Sequence, residues 1–154
     1  MNTVTTLYIC KANVWRSQIA EWIHNKLANG TNKALSLAWS EARKVKYNWS
    51  PSSDIVKYMS EIRWIEIVNQ RISYIMDLST ATIDAIQKTI FLYDPEKYSH
   101  CDDACKINEE SPYEYLRKRW FNILISPVAD PFETGEVWFD GIYNDIHKII
   151  IDNM

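Results

Sequence analysis

With 154 residues, 47% apolar and 24% charged, the chain is sized for one soluble domain over 1–154 with a sizeable core. The net charge of −3, without a dense Lys/Arg block, excludes a dedicated nucleic-acid binder. No apolar run approaches the roughly 20 residues of a membrane span, and the opening "MNTVTTLYIC" lacks the basic and apolar regions of a secretory signal.

Residues 3–9, "TVTTLYI", are β-branched and apolar and read as a strand ending at Cys10. From Ser17 to Ala28, Ile19, Ala20, Trp22, Ile23 and Leu27 follow helical spacing, and Asn29-Gly30 supplies the stop. "KALSLAW" (33–39) reads as a second strand. "SPSSDIVKYMSEI" opens with Pro and Ser caps and puts Ile55, Met59 and Ile62 on one helical face. "MDLSTATIDAIQ" reads as a further helix starting near Leu78 or Ser79. "KTIFLYD" (88–94) is the third strand and "RWFNILIS" (119–126) the fourth, with a polar loop over 94–112 between them. The basic run "YLRKRW" reads as a solvated helix end or a strand start. A helix over roughly 133–152 closes the chain, with Phe139, Ile142, Ile146, Ile149 and Ile150 along one side. Strands and helices alternate without hairpin signals, which predicts an α/β fold: a four-stranded parallel sheet with helices on both faces. Ligands in such folds bind at the carboxyl ends of the strands, where Cys10 is expected to lie.

The three cysteines are an odd number in a domain this large, which points to a reducing, cytoplasmic setting rather than a disulfide framework. The seven tryptophans read mainly as core and pocket packing.

The segment "CKANVWRS" lies between a predicted strand and a predicted helix. Backbone N–H groups of a compact loop there form an anion cradle. Arg16 can add a planar clamp for two phosphate oxygens. The same positive field favours a thiolate at Cys10, a nucleophile aligned beneath a bound phosphate. Ser17 can hydrogen-bond the sulfur and stabilise it as a leaving group. Ester cleavage further needs a proton donor for the departing oxygen. Asp130, in "SPVADPFETG" beyond the fourth strand, can fall on the same rim; taken alone, its Asp-Pro step is a turn element. This chemistry requires neither metal nor cofactor.

The stretch "CKANVWRSQIAE" resembles the C-x-G-N-x-C-R-S-P-x-A-E loop of low-molecular-weight protein tyrosine phosphatases. "ADPF" resembles their Asp-Pro-aromatic acid loop. The segments "SEARKVKYNWSPSSDIVKYMSEI" and "KTIFLYDPEKY" are similar to the family's second-strand-to-helix and third-strand regions, so the resemblance spans nearly the whole chain. It implies the phosphotyrosine phosphatase I-like fold and a two-step reaction through a phosphocysteine. By this resemblance Cys10 is the nucleophile, Arg16 the clamp and Asp130 the acid and then the base. Lys11, Ala12, Asn13, Val14 and Trp15 form the phosphate loop, with Asn13 holding its shape. Ser17 assists the thiolate, and Ser36, at the end of the second strand, corresponds to a serine that buttresses the loop. Trp15, Trp39 or Trp49, and Phe132 can form an aromatic slot selecting phosphotyrosine or small aryl phosphates. The chain is expected to act as a monomer.

Four departures from the pattern are visible. Ala12 stands for a glycine, Trp15 for the second loop cysteine, and Gln18 for a proline, while a histidine some members carry near residue 70 is replaced by Val68 or Asn69. Arsenate reductases of the same fold also carry Arg-Ser-Gln after the loop, but they need two further cysteines, one of them ending the third strand, where this chain has Tyr93-Asp94. Cys101 and Cys105 come later and read as loop thiols, as a redox relay, or with His100 as half a metal site. A phosphate-binding module without catalysis is the remaining alternative; retention of Cys10, Arg16 and Asp130 together speaks against it.

Overall fold

The computed structural model describes residues 3–10, 16–38, 53–67, 70, 78–95, 112–119, 122–128 and 139–154. The elements are β1 (Val4–Cys10), α1 (Arg16–Leu27), β2 (Lys33–Ala38), α2 (Ser53–Glu61), α3 (Thr80–Ala85), β3 (Lys88–Phe91), α4 (Pro112–Arg119), β4 (Ile123–Ile125) and α5 (Phe139–Asn153). The strands form one sheet in the order β2-β1-β3-β4, and each neighbouring pair is parallel. The expected four-stranded parallel sheet with packed helices is therefore the observed fold.

β1 is paired along both edges, and its side chains from Thr5 to Cys10 are buried on both faces of the sheet. That is why it reads as a continuous apolar and β-branched run rather than an alternation. Leu7, Ile90, Phe91, Ile19, Ile55, Met59 and Ile67 are among the residues wholly excluded from solvent. α5 places Ile142, Ile146 and Ile150 in this core, at the four-residue spacing that lines one helix face.

α1 is seated on the sheet by polar contacts as well as apolar ones. β2 is an edge strand, whose outward main-chain groups would template pairing with another chain if left open. Asn25 covers them at one position: its amide accepts from the Ala34 N–H at 2.7 Å and donates to the Ala34 carbonyl at 3.1 Å. One turn earlier on the same helix face, Glu21 accepts from the Ser36 N–H at 2.9 Å.

Next to Asn25 on α1, the His24 Nε2–H donates to the Asn32 carbonyl at 2.9 Å. In the neutral ring this leaves Nδ1 to accept the Tyr8 hydroxyl, also at 2.9 Å. Burial holds His24 below its ordinary value of 6.5, the Asn32 carbonyl opposes that, and nearby Lys88 adds to the depression. Burial also raises the Tyr8 hydroxyl, so Tyr8 stays the donor. A depressed histidine binds its proton less readily folded than unfolded. Its contribution is complete above about 6.5 and is lost as pH falls through the folded value. Urea unfolding across this range should show the wild-type midpoint falling on acidification, and His24→Gln should remove part of that fall.

α2 and α5 are tied together near the start of α5. The Tyr58 hydroxyl donates to Asp140, the Arg63 Nε donates to the Tyr58 oxygen at 2.9 Å, and the Arg63 guanidinium pairs with Asp140 at 3.0 Å. Tyr58 also stacks on Phe139 with centroids 4.9 Å apart.

Several elements differ from their predicted extents. β3 ends at Phe91 rather than residue 94, because the chain bends at Leu92 and Tyr93 while both side chains stay buried. The fourth strand begins at Ile123, and residues up to Arg119 are helical, with Arg117, Lys118 and Arg119 in the last turn of α4. Cations there complement the carbonyl end of the helix dipole. α3 is the expected helix shortened to six residues, capped by Ser79, whose side chain accepts from the Thr82 N–H. Asn29 and Gly30 adopt φ of 53° and 92°, as a left-handed helix stop requires. Leu27, the last residue of α1, and Ile62, the residue after α2, both expected on apolar faces, are 43% and 57% exposed. Whereas Trp22 packs against the core, Trp64 is an exception to the packing expected of most tryptophans: it is 90% exposed and held at φ 61°. That conformation is unfavourable for a bulky side chain. Among the described residues no helix is long and apolar enough to cross a membrane.

Candidate active site

The carboxyl end of β1 delivers Cys10, 2% exposed and a free thiol. Residues 11–15 lie outside the described residues, and the chain re-enters as the first turn of α1, Arg16-Ser17-Gln18, all buried. The Cys10 sulfur and the Ser17 hydroxyl are 2.9 Å apart. The fold therefore brings together the thiol and the hydroxyl that the sequence places seven residues apart. With a thiolate at Cys10, Ser17 is the donor. The opening of α1 adds the positive end of its dipole on the same side.

Arg16 is 5% exposed and crosses the sheet. Its Nη1 donates to the Leu92 carbonyl at 3.2 Å and to the Val128 carbonyl at 3.0 Å. Leu92 directly follows β3 and Val128 closely follows β4, so one side chain starting after β1 joins the ends of two other strands. Leu92 and Val128 are linked independently, the Val128 N–H donating to the Leu92 carbonyl at 3.1 Å. The bend that ends β3 early is thus the bend that presents a carbonyl to Arg16. Val128 is two residues before Asp130 in sequence, so the segment leading to the expected acid starts at the rim that holds Cys10.

Ser36 takes a different place from the one expected. It pairs with Tyr8 rather than with Cys10, whose partner in register is Ala38, so it is two residues short of the strand end. Its hydroxyl donates to Glu21 at 2.5 Å, and both its polar groups thereby seat α1 on β2. Burial raises the Glu21 carboxyl, and the two hydrogen bonds from Ser36 partly oppose this. Lys11, Ala12, Asn13, Val14, Trp15, Trp39, Trp49, Asp130 and Phe132 lie outside the described residues, as do His100, Cys101 and Cys105. Among the described residues there is no group of His, Cys, Asp and Glu suited to hold a metal.

Four participants were not assigned a role from the sequence. The Leu92 and Val128 carbonyls are main-chain atoms and carry no residue signature. Glu21 does have one: with Asn25 it forms an i, i+4 polar pair on a helix that follows a strand, a spacing suited to capping a sheet edge. Gln70 donates through its amide nitrogen to the Gln18 side-chain oxygen at 2.6 Å and to the Gln18 carbonyl at 3.1 Å.

The four-stranded parallel sheet with its packed helices is the α/β fold also seen in low-molecular-weight protein tyrosine phosphatases and arsenate reductases. A low-molecular-weight protein tyrosine phosphatase from Streptococcus pyogenes superposes with a TM-score of 0.67 at 15% identity, over 97% of this chain and 90% of that one. One from T. tengcongensis gives 0.64 at 20% identity, over 99% and 100%. An arsenate reductase in the phosphate binding state gives 0.65 at 18% identity, over 97% and 95%. No protein-family model and no curated protein matches the chain. The likeness inferred from the two loops is thus borne out at the level of the fold.

Proposed function

We propose that the protein is a cysteine-dependent phosphatase that hydrolyses phosphotyrosine or small aryl phosphate monoesters, acting as a monomer of one domain. The observation that carries this reading is the 2.9 Å approach of the Cys10 sulfur to the Ser17 hydroxyl, with Arg16 beginning the same helical turn. In the first step the Cys10 thiolate attacks phosphorus, the S–P bond forms and the P–O bond to the aryl group breaks. Asp130 gives its proton to the departing oxygen. Arg16 holds the equatorial oxygens through its guanidinium fork, and loop amides of Lys11 to Trp15 complete the cradle. In the second step Asp130, now a carboxylate, takes a proton from water as its oxygen attacks phosphorus. The S–P bond breaks, releasing inorganic phosphate and the thiolate, which Ser17 stabilises. The cycle needs no cofactor. A nucleophilic thiol requires a reducing compartment, which supports a cytoplasmic site of action.

Arsenate reduction is the second reading, favoured by the arsenate reductases that share the fold. Against it, β3 ends at Phe91 and the chain continues as Leu92-Tyr93-Asp94, with no cysteine at the strand end.

Hydrolysis of p-nitrophenyl phosphate and of a phosphotyrosine peptide separates the readings. The wild type should turn over both, and acid quenching should trap phosphate on Cys10. Cys10→Ser should abolish turnover and trapping. Asp130→Ala should slow the peptide, with its poorer leaving group, by roughly a hundredfold or more, and p-nitrophenyl phosphate less. Thiol-dependent reduction of arsenate without ester cleavage would replace the phosphatase reading.

A further inference from the structure

We propose that Gln70 is a positioning residue for the Cys10–Arg16–Ser17 constellation, working through Gln18; the kinetic part of this proposal rests on the phosphatase reading. Two side-chain hydrogen bonds from Gln70 converge on one residue. Its amide nitrogen donates to the side-chain oxygen of Gln18 at 2.6 Å and to the Gln18 carbonyl at 3.1 Å. An amide nitrogen carries two hydrogens, and this one directs both to Gln18. Gln18 is wholly buried, follows Ser17 directly, and lies in the turn that aims Ser17 at the Cys10 sulfur.

Gln70 is itself fixed to the scaffold. Its N–H donates to the Ile67 carbonyl at 2.9 Å, and the Ile65 N–H donates to the Met59 carbonyl at 2.8 Å. Ile67 and Met59 are wholly buried. The chain beyond α2 is therefore nailed to the core and presents an amide to the side of α1. The first turn of α1 is held from two directions, by Arg16 against the ends of β3 and β4 and by Gln18 against the segment after α2. Position 18 is also where the chain departs from the motif it resembles, and a proline there has no side-chain acceptor. The side-chain half of the clip belongs to this chain's own residues.

Releasing the clip frees the turn that supplies the thiolate with its donor and dipole, so it should alter the ionisation of Cys10. The test compares wild type, Gln70→Met, Gln18→Met and the double variant. The first readout is thiolate absorbance against pH, taken as the difference between each protein and its Cys10→Ser counterpart. The half-point should move upward in each single variant. The double variant should move no further than either single one, because the two residues act as one unit. With an aryl phosphate, kcat should fall roughly tenfold while KM changes little.

An unmoved half-point in both single variants overturns the proposal, whatever happens to thermal stability, since a purely structural pair would lower stability alone. Additive shifts in the double variant overturn it as well. A shifted half-point in proteins that cleave no ester would support the positioning role and sink the phosphatase reading. Ester cleavage with an unmoved half-point would do the reverse.

Discussion

Arg16→Lys is expected to lower kcat/KM for an aryl phosphate by roughly a thousandfold, equivalent to about 4 kcal/mol of transition-state stabilisation. It is also expected to destabilise the fold by about 2 kcal/mol, the scale of a hydrogen bond to a charged group. Both losses have one cause. The guanidinium is a rigid planar fork with five donors, whereas an ammonium is a point charge on a flexible stem. Through Nη1, Arg16 donates to the Leu92 and Val128 carbonyls at 3.2 and 3.0 Å, which orients its plane and joins the ends of β3 and β4. A lysine can reach one of these carbonyls or a phosphate, and it cannot reproduce the arrangement that serves both. Urea unfolding and steady-state kinetics on the same preparation would measure the two effects. Activity lost with stability unchanged would mean that the carbonyl contacts do not hold the rim. Stability lost with activity retained would remove Arg16 from the reaction.

Glu21 is the second site where a large effect is expected, and its two substitutions should diverge. Glu21→Ala leaves the N–H and hydroxyl of Ser36, a residue wholly excluded from solvent, without their acceptor. The expected loss is about 2–3 kcal/mol. Glu21→Gln keeps a carbonyl oxygen for both donors and removes the charge. Because burial raises the Glu21 carboxyl above its ordinary 4.5, the folded protein keeps this proton more tightly than the unfolded chain does. The stability it contributes is complete below about 4.5 and is lost as pH rises through the folded value. Relative to wild type, Glu21→Gln should therefore gain stability on going from acid to neutral pH. Denaturant midpoints for both variants across that range would test the sign. A glutamine variant that instead weakens towards neutral pH would mean that the Ser36 donors outweigh the burial of the charge.

The His24 and Glu21 effects have opposite signs with pH, and they act at different points along α1. His24 stabilises α1 in its neutral form and loses that contribution on acidification, whereas Glu21 is favoured when protonated. The helix that begins with Arg16 and Ser17 is therefore fastened along its length by groups whose ionisation opposes folding, each satisfied by a specific partner from the sheet side. Polar groups buried this way are costly to leave unmet and so specify one seating of the helix.

The amino-acid sequence by itself determined the order of strands and helices, the helix stop at Asn29-Gly30 and the arrival of Cys10 at a strand end just before Arg16 and Ser17. These features depend on local rules: β-branched runs extend, apolar residues at helical spacing make one buried face, and a left-handed stop favours Asn and Gly. Only the tertiary structure decided what Arg16 holds, because its partners are main-chain carbonyls whose position depends on where β3 and β4 end. It also decided that Ser36 serves α1 through Glu21, that Gln70 reaches Gln18 across 52 residues, and that Trp64 faces solvent. Such contacts arise from elements far apart in the chain, so no window of local sequence contains both partners. The rim of the sheet, where strands from four parts of the chain end side by side, is where Arg16 meets the Leu92 and Val128 carbonyls.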